Sequence, residues 1–307
     1  MLAVKKYLSL VKFSHTIFAM PFALIGFCLG LQYHKQDKIV EDALNSYKRT
    51  GSYPPLERTM FILLFVLLCM IFARSAAMAF NRWLDAKYDA INPRTAVREI
   101  PAGIIKPNNA LAFTIINCLL FVTSTFFINK LCFYLSPVSL FVILFYSYTK
   151  RFTALCHLVL GVGLSLAPIG AYIAVTGQFG LLPLLFSFTV LFWVSGFDII
   201  YALQDEDFDK KNQLHSIPSA VGKIKALRIS ELLHVLSAAC VIYAGYFGHF
   251  GLWYWIGVAF FIGLLIYQHL LVKPNDLSKV NMAFFTTNGI ASVVFSIFVI
   301  ADVFLNK

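Results

Sequence analysis

Residues 181–209 read LLPLLFSFTVLFWVSGFDIIYALQDEDFD, and no charged residue precedes Asp198 in this stretch. An α-helix that crosses a membrane needs about 20 consecutive, mostly apolar residues. Four aspartates then follow, at a depth where a carboxylate is costly unless it has a partner. The stretch therefore predicts a membrane-spanning helix over 180–203 that ends in a group of carboxylates with a chemical role.

Apolar runs of similar length recur along the 307-residue chain. Hydrophobic residues make up 59% of the sequence and charged residues only 13%, whereas a soluble domain carries about 25% charged residues. The deficit of charge indicates a surface that faces lipid. We therefore predict an all-α, polytopic membrane protein with about nine transmembrane helices, forming a single domain over 1–307. The other eight predicted spans are 14–33, 60–83, 108–129, 131–149, 153–176, 227–248, 250–272 and 281–304.

The basic residues of the connecting loops lie mostly on one side of the predicted spans. If the N-terminus is cytoplasmic, 17 Lys and Arg residues lie in cytoplasmic segments and 7 on the other side. Because cytoplasmic loops carry an excess of Lys and Arg, we predict a multi-pass protein of the cell inner membrane with a cytoplasmic N-terminus. The net charge of +10 then reflects loops beside anionic lipid. Membrane lipid, and not nucleic acid, is the predicted partner.

Outside the first outer connection, most of the acidic residues lie in two predicted cytoplasmic loops, 81–107 and 198–225. Each loop begins inside an apolar helix, and four spans separate the two. This placement suggests that the loops occupy corresponding positions in two halves of a duplicated helix pattern. The first outer connection, 34–58, is polar and contains Pro54 and Pro55, and we interpret it as a solvated loop.

Oxygen-bearing side chains in the two loops recur at helical spacing. In an α-helix, residues spaced by four, seven or eleven positions lie close to one face. Each loop therefore presents one stripe of oxygen atoms at the cytoplasmic end of a span, and Asp207 should face away from its stripe. The first stripe is Asn81, Asp85 and Asp89, and the second is Asp198, Asp205 and Asp209.

Two stripes of carboxylates repel each other unless a cation lies between them. Mg²⁺ takes oxygen ligands and keeps water or substrate phosphate in its coordination shell. Four basic residues, Arg94, Arg98, Lys150 and Arg151, supply the complement for phosphate, since Arg and Lys both bind phosphate oxygens. The pattern therefore predicts a Mg²⁺ site that receives a diphosphate.

These same segments resemble a known family. Asn81-Arg-Trp-Leu-Asp85-Ala-Lys-Tyr-Asp89, followed by Arg94-Thr95 and Pro101-Ala-Gly103, resembles the first aspartate-rich motif of the UbiA superfamily of intramembrane prenyltransferases. Residues 198–209 resemble the second motif, and residues 146–151 resemble the loop between the fourth and fifth spans. The resemblance covers essentially the whole chain. One position departs from the pattern, because Arg82 stands where the family usually has Asp.

The resemblance implies a nine-helix bundle around a central cavity, with a prenyl tail in an apolar groove open to lipid. It implies transfer of a polyprenyl group from polyprenyl diphosphate to an aromatic hydroxy acid, in which Mg²⁺, Lys150 and Arg151 stabilise the leaving diphosphate. The residues that carry this chemistry are Asp85, Asp198, Lys150 and Arg151. The implied diphosphate ligands are Asn81, Arg82, Arg94, Arg98, Lys150 and Arg151, and the implied metal ligands are Asn81, Asp85, Asp89, Asp198, Asp205 and Asp209.

The sequence leaves alternatives open for the identity of the acceptor and for the class of protein. The Arg94-Thr95 and Pro-x-Gly forms are similar to the branch that prenylates 4-hydroxybenzoate in quinone biosynthesis, and the Asn-Arg start is similar to a relative that prenylates a dihydroxynaphthoate. Arg82 is expected either to contact the diphosphate or the acceptor carboxylate, or to face solvent. A secondary transporter is the alternative from another class, but transport sites usually lie at the membrane midplane. The histidines in apolar runs, His157 among them, are interpreted as packing residues.

Overall fold

The computed structural model describes residues 2–11, 18–44 and 56–306, and helix is the dominant structure throughout them. The all-α prediction is confirmed over this part of the chain. The helices are α1 Leu2–Leu10, α2 Met20–Leu44, α3 Leu56–Leu84, α4 Ala86–Ile91, α5 Pro107–Ile128, α6 Lys130–Thr149, α7 Cys156–Thr176, α8 Leu181–Ala202, α9 Glu206–Lys211, α10 Ile217–Phe247, α11 Leu252–Leu271 and α12 Asn288–Leu305.

Eight helical segments of the described chain are long and apolar enough to cross a membrane. They are α3, α5, α6, α7, α8 with its extension to Lys211, α10, α11, and α12 with the π-helical turn Met282–Thr287 before it. The ninth predicted span, 14–33, corresponds to the apolar part of α2, Met20–Tyr33, which is shorter. Part of that predicted span, residues 14–17, lies outside the described residues. The chain is therefore a multi-span membrane protein, and nine is an approximate count of its spans.

Two predicted boundaries were wrong. The helix predicted to begin at 227 begins at Ile217, because Ser216 caps it and Pro218 occupies its first turn. The charged residues that suggested a loop lie on the first turns of this helix. Gly222 adopts a φ of +79° and kinks it, a conformation that glycine accepts without strain. At the other boundary, the outer connection predicted to start at 34 is helical as far as Leu44.

Helix α8 lies at the centre of the bundle and packs against both α7 and α10. Its apolar side chains point in all directions, as expected of a helix that is buried on every side. Trp193, Phe186 and Val190 are completely buried. Small residues allow the close approach of neighbouring helices: a Cβ added at Gly26 of α2 would lie 1.9 Å from the backbone oxygen of Pro168 in α7.

A polar network lies inside this apolar core. The side-chain oxygen of Asn288 accepts hydrogen bonds from Trp193 at 2.9 Å and from Gln268 at 2.7 Å. These three residues come from three different helices, α8, α11 and α12 with its preceding turn. In a membrane such bonds hold helices in register, because an unpaired polar group in hydrocarbon is costly.

Candidate active site

The first aspartate motif crosses the junction between α3 and α4. The backbone N–H of Asp85 donates to the carbonyl of Asn81 at 2.9 Å, and that of Asp89 donates to the carbonyl of Asp85 at 2.8 Å. The helical spacing therefore continues through the junction. The side-chain amide of Asn81 also donates to Asp85 Oδ2 at 3.0 Å, so the first two members of the predicted stripe are in contact.

The second motif is not one continuous α-helix, as the spacing had suggested. A 3-10 turn, Leu203–Asp205, separates α8 from the short helix α9. The predicted sides are nevertheless preserved, because Asp205 and Asp209 are buried whereas Asp207 is exposed. Asp209 thus lies on the buried side although a 3-10 turn precedes α9.

Five aspartates of the two motifs each pair with a basic side chain. The Arg94–Asp205 pair joins the first loop to the second motif, and Lys150 and Arg151 reach both motifs from the turn between α6 and α7. The two loops and this turn therefore meet at one end of the bundle. The other pairs are Arg98–Asp89 at 2.7 Å, Lys150–Asp209 at 2.8 Å, Arg151–Asp85 at 2.8 Å and His157–Asp198 at 2.6 Å.

Arg94 links the first loop to the second motif through three side-chain hydrogen bonds. Its guanidinium binds both carboxylate oxygens of Asp205, with Nε 3.0 Å from Oδ1, and its Nη1 donates to the hydroxyl of Tyr201 at 2.9 Å. Burial opposes the charge on Arg94, but the hydrogen bonds to Asp205 outweigh it and raise the pKa of Arg94. The adjacent Thr95 donates to the backbone oxygen of Asp89 at 3.2 Å, so the Arg-Thr pair connects the two motifs.

Burial and neighbouring charges shift the pKa values of Asp85 and Lys150 in opposite directions. Burial raises the pKa of Asp85, and the nearby Arg151 offsets only part of this effect. Burial would lower the pKa of Lys150, but the charge of Asp209 and its hydrogen bond to Lys150 reverse the direction and raise it. Asp209 is completely buried and also accepts from the hydroxyl of Ser216 at 2.8 Å. Lys150 therefore remains a cation at neutral pH.

Arg82 does not face solvent. It is only 3% exposed, and its Nε and Nη1 atoms have no hydrogen-bond partner among the described residues. Asp89, Glu99 and Arg98 lie within electrostatic range of it. The solvent-facing alternative is therefore wrong, and Arg82 is a buried cation beside the first motif.

His157 and Ser216 are site residues that the sequence prediction missed. His157 lies in the first turn of α7, and its Nδ1 atom contacts Asp198 while its Nε2 atom accepts from the backbone N–H of Ile217 at 3.3 Å. Ser216 caps α10 and binds Asp209 at the same time. A capping serine before Pro218 is visible in the sequence, whereas the contact of His157 with a residue 41 positions away has no local signal.

An apolar cavity of about 350 Å³ lies between α3, α5, α6 and α7. Arg74 and Tyr146 line it together with aliphatic and small side chains. We did not single out Arg74 from the sequence, because it lies within the apolar run 60–83. The available signal was the charge itself, since an ionisable residue inside a span usually has a function.

The donor atoms of the site suit a hard divalent cation, although no three acidic, His or Cys side chains of the described chain are grouped closely enough to hold one. Each aspartate of the two stripes is instead paired with a basic side chain. Among the aspartate oxygens, Asp89 Oδ2 is buried and has no hydrogen bond among the described residues. Carboxylate oxygens of this kind fit Mg²⁺.

A helical membrane bundle with facing carboxylates and cations at one end of an apolar cavity is the architecture of a membrane-embedded transferase for an anionic substrate. The sequence profile of the UbiA prenyltransferase family matches residues 49–290. The chain belongs to this family and is a prenyltransferase.

Two kinds of known protein are similar to this chain. The 4-hydroxybenzoate octaprenyltransferase of Tolumonas auensis is 31% identical over 238 residues, which cover 77% of this chain and 82% of the relative. Among solved structures, a UbiA homolog from Aeropyrum pernix K1 matches with a TM-score of 0.75 and 25% identity, over 95% of this chain and 98% of the other. A UbiA homolog from Archaeoglobus fulgidus bound to DMAPP and Mg²⁺ matches with a TM-score of 0.67 and 19% identity, over 97% and 99% of the two chains.

Proposed function

We propose that the protein transfers a polyprenyl group from polyprenyl diphosphate to an aromatic hydroxy acid, with 4-hydroxybenzoate as the first candidate. The observation that carries the proposal is the meeting of the two aspartate motifs with five basic partners beside an apolar cavity. Such a site can hold a charged diphosphate at one end and an apolar chain at the other. The similarity to 4-hydroxybenzoate octaprenyltransferases supports the choice of acceptor.

We propose that Mg²⁺ binds the oxygen atoms of the two motifs. When bound, it would neutralise the diphosphate and favour departure of the leaving group. Asp85, Asp89 and Asp205 are well placed to hold it, since each lies at the meeting point of the loops, and Asp89 Oδ2 has no other partner in the described chain. Asn81, Asp198 and Asp209 complete the proposed set of metal ligands.

The basic side chains have a proposed role in two states of the enzyme. Without substrate, Arg94, Arg98, Lys150 and Arg151 neutralise the carboxylates. When the donor binds, the same cations can turn to the diphosphate oxygens, because Arg binds phosphate in the two-pronged geometry that it uses for carboxylate. Preorganised positive charge at the leaving group stabilises the transition state. The bond from the allylic carbon to oxygen then breaks, with its electron pair on the diphosphate.

The cavity has the proposed role of excluding water from the allylic cation. Its walls are mainly aliphatic, with Phe121, Tyr146 and Phe179 as aromatic members, and aromatic faces stabilise a nearby cation. The electron-rich ring of the acceptor attacks the allylic carbon, and the ring carbon then loses its proton. Exclusion of water prevents simple hydrolysis of the donor.

The same reaction on a dihydroxynaphthoate is the second candidate. Arg82, which replaces the usual Asp of the first motif, favours it, because this form of the motif is similar to that of a relative with such an acceptor. The deciding experiment supplies membranes that contain the protein with Mg²⁺, a polyprenyl diphosphate and each acceptor in parallel. A prenylated product identified by mass with one acid and not the other assigns the acceptor. A secondary transporter would release no diphosphate with either.

A further inference from the structure

Arg82 is a buried cation with unused donor atoms. Its Nε and Nη1 atoms are buried and have no hydrogen-bond partner among the described residues. Asp89 and Glu99 lie within electrostatic range of Arg82, and one oxygen of each, Asp89 Oδ2 and Glu99 Oε2, is buried without a hydrogen bond in the same part of the chain. Unpaired polar atoms are costly when they are buried. Arg82, Asp89 and Glu99, here called the Arg82 cluster, therefore offer both open donors and open acceptors.

The second oxygen of each carboxylate in the Arg82 cluster is already held by another side chain. Oδ1 of Asp89 accepts a hydrogen bond from Nη1 of Arg98 at 2.7 Å. Oε1 of Glu99 accepts one from the hydroxyl of Ser9 at 2.5 Å, so the N-terminal helix α1 is in contact with the cluster. These contacts fix both carboxylates, and the oxygens that they leave open are the buried ones.

The open atoms of the Arg82 cluster carry both signs of charge, and this restricts the ligand. A lone anion would be repelled by Asp89 and Glu99, and a lone metal ion would be repelled by Arg82. A diphosphate that carries a divalent cation satisfies both signs, because its oxygen atoms accept from a guanidinium and its cation takes carboxylate oxygens. A metal–diphosphate complex is therefore the class of ligand that matches the cluster.

Arg82 also differs from the other cations of the site in what it gives up on binding. Each of the others is paired with an aspartate, and it must weaken that contact in order to reach a diphosphate; these cations are Arg94, Arg98, Lys150 and Arg151. The Nε and Nη1 atoms of Arg82 have no hydrogen bond to weaken among the described residues. Arg82 is therefore available to the ligand without the loss of an existing contact at these atoms.

The charge at position 82 differs from the family pattern by the charge of one metal ion. The family usually has Asp at this position, whereas this chain has Arg82. The exchange changes the local charge from −1 to +1 at neutral pH, and this difference equals the charge of one Mg²⁺ ion. A guanidinium near Asp89 and Glu99 can neutralise these carboxylates and donate to a phosphate oxygen. A divalent cation would otherwise perform both tasks.

We propose that Arg82 takes the place of one divalent cation, so that the protein binds its diphosphate with one metal ion fewer than it would with an acid at position 82. This inference rests on the proposed binding of diphosphate and Mg²⁺ at the two motifs. Arginine remains protonated in proteins, so Arg82 supplies its charge without an ion from solution. Glu99 balances that charge and is held in place by Ser9.

The test counts metal ions and measures diphosphate binding in purified, detergent-solubilised protein. Equilibrium dialysis against inorganic diphosphate and Mn²⁺, which takes the same oxygen ligands as Mg²⁺, gives the number of ions bound per chain. R82D should bind one ion more than the wild type, whereas R82K, which keeps the charge, should bind the wild-type number. With a chelator in place of the metal, R82D and R82Q should each bind labelled diphosphate roughly 10- to 100-fold more weakly than the wild type. Added Mn²⁺ should restore the affinity of R82D.

The matched control is R228D, which makes the same change of charge at an exposed arginine paired with Glu231 on α10. It should keep the wild-type ion count and affinity. Equal ion counts in the wild type and R82D would overturn the inference, as would equal metal-free affinities in the wild type and R82Q. If R82D does not fold, R82Q decides through the metal-free affinity. An additional ion in R82D, together with a wild type that forms no prenylated acid, would support the role of Arg82 and count against the proposed function.

Discussion

The Nδ1 atom of His157 lies 2.6 Å from Oδ2 of Asp198. The other ring nitrogen, Nε2, accepts a hydrogen bond from the backbone N–H of Ile217 at 3.3 Å. Because Nε2 is an acceptor, the proton of a neutral ring is on Nδ1, and it points at the carboxylate of Asp198. His157 thus connects the first turn of α7, the second motif on α8 and the start of α10. It orients a proposed metal ligand without being one.

We expect His157→Phe to lower prenyl transfer by about 10- to 100-fold, because partners that orient metal ligands typically contribute that much. The Mg²⁺ concentration that gives half-maximal rate should rise at the same time. His215→Gln is the matched control, since His215 is close to the second motif in the sequence but has an exposed side chain. Steady-state rates over a Mg²⁺ titration check both variants. An unchanged Mg²⁺ requirement in His157→Phe would show that His157 only fills space.

The second motif contains its own control in Asp207. Asp205→Asn should lower the rate by about 100-fold or more, roughly 3 kcal/mol of transition-state stabilisation, because the amide keeps the shape of the side chain but not its charge. Asp207→Asn should retain near-normal turnover, since Asp207 is exposed. Turnover per amount of folded protein checks the pair. Equal losses in the two variants would contradict the assignment of the buried side as the functional one.

The ion pair of Lys150 with Asp209 should also stabilise the fold. Lys150→Met leaves the completely buried carboxylate of Asp209 without its cation. We expect the free energy of unfolding to fall by about 3 kcal/mol, the low end of the range for a broken buried ion pair. The low end applies because the Lys150 side chain is 33% exposed. Lys210→Met removes a half-exposed lysine paired with Glu206 and should cost under about 1 kcal/mol. Thermal unfolding in detergent measures both. Equal melting temperatures for the two variants would contradict the structural role of the pair.

The orientation of the protein in the membrane is also a prediction. Loop charge places the N-terminus in the cytoplasm and, with nine spans, the C-terminus outside. Reporter domains fused at each end should therefore become active on opposite sides of the inner membrane. Reporters active on the same side would show that the chain crosses the membrane an even number of times.

The acidic residues of the two motifs could be predicted as site residues because charge is rare in an apolar chain. Asp85, Asp89, Asp205 and Asp209 stand out because few acidic residues occur outside the two loops and the first outer connection. Helical spacing also predicted the buried side of Asp205 and Asp209, even though a 3-10 turn interrupts the second motif. The same reasoning missed Arg74, because one charge inside a long apolar run changes the hydropathy of that run very little.

The partners of the aspartates could not be predicted in the same way. Arg94 and Asp205 are 111 residues apart, and only the folding of the whole bundle brings their loops together. Basic residues in cytoplasmic loops are common, so neither loop shows which cation meets which carboxylate. His157 was interpreted as a packing residue for a related reason: its contacts come from α8 and the start of α10 and have no periodic signal in α7.

The central claim is that one site couples departure of diphosphate to prenylation of an aromatic acid. The most direct measurement uses purified protein in lipid nanodiscs with Mg²⁺, a polyprenyl diphosphate and 4-hydroxybenzoate or a dihydroxynaphthoate, and follows diphosphate release and product mass together. We predict one diphosphate released for each prenylated acid formed, with both signals abolished by a chelator and restored by added Mg²⁺. Diphosphate release without a prenylated acid, or full product formation in the chelator, would contradict this account.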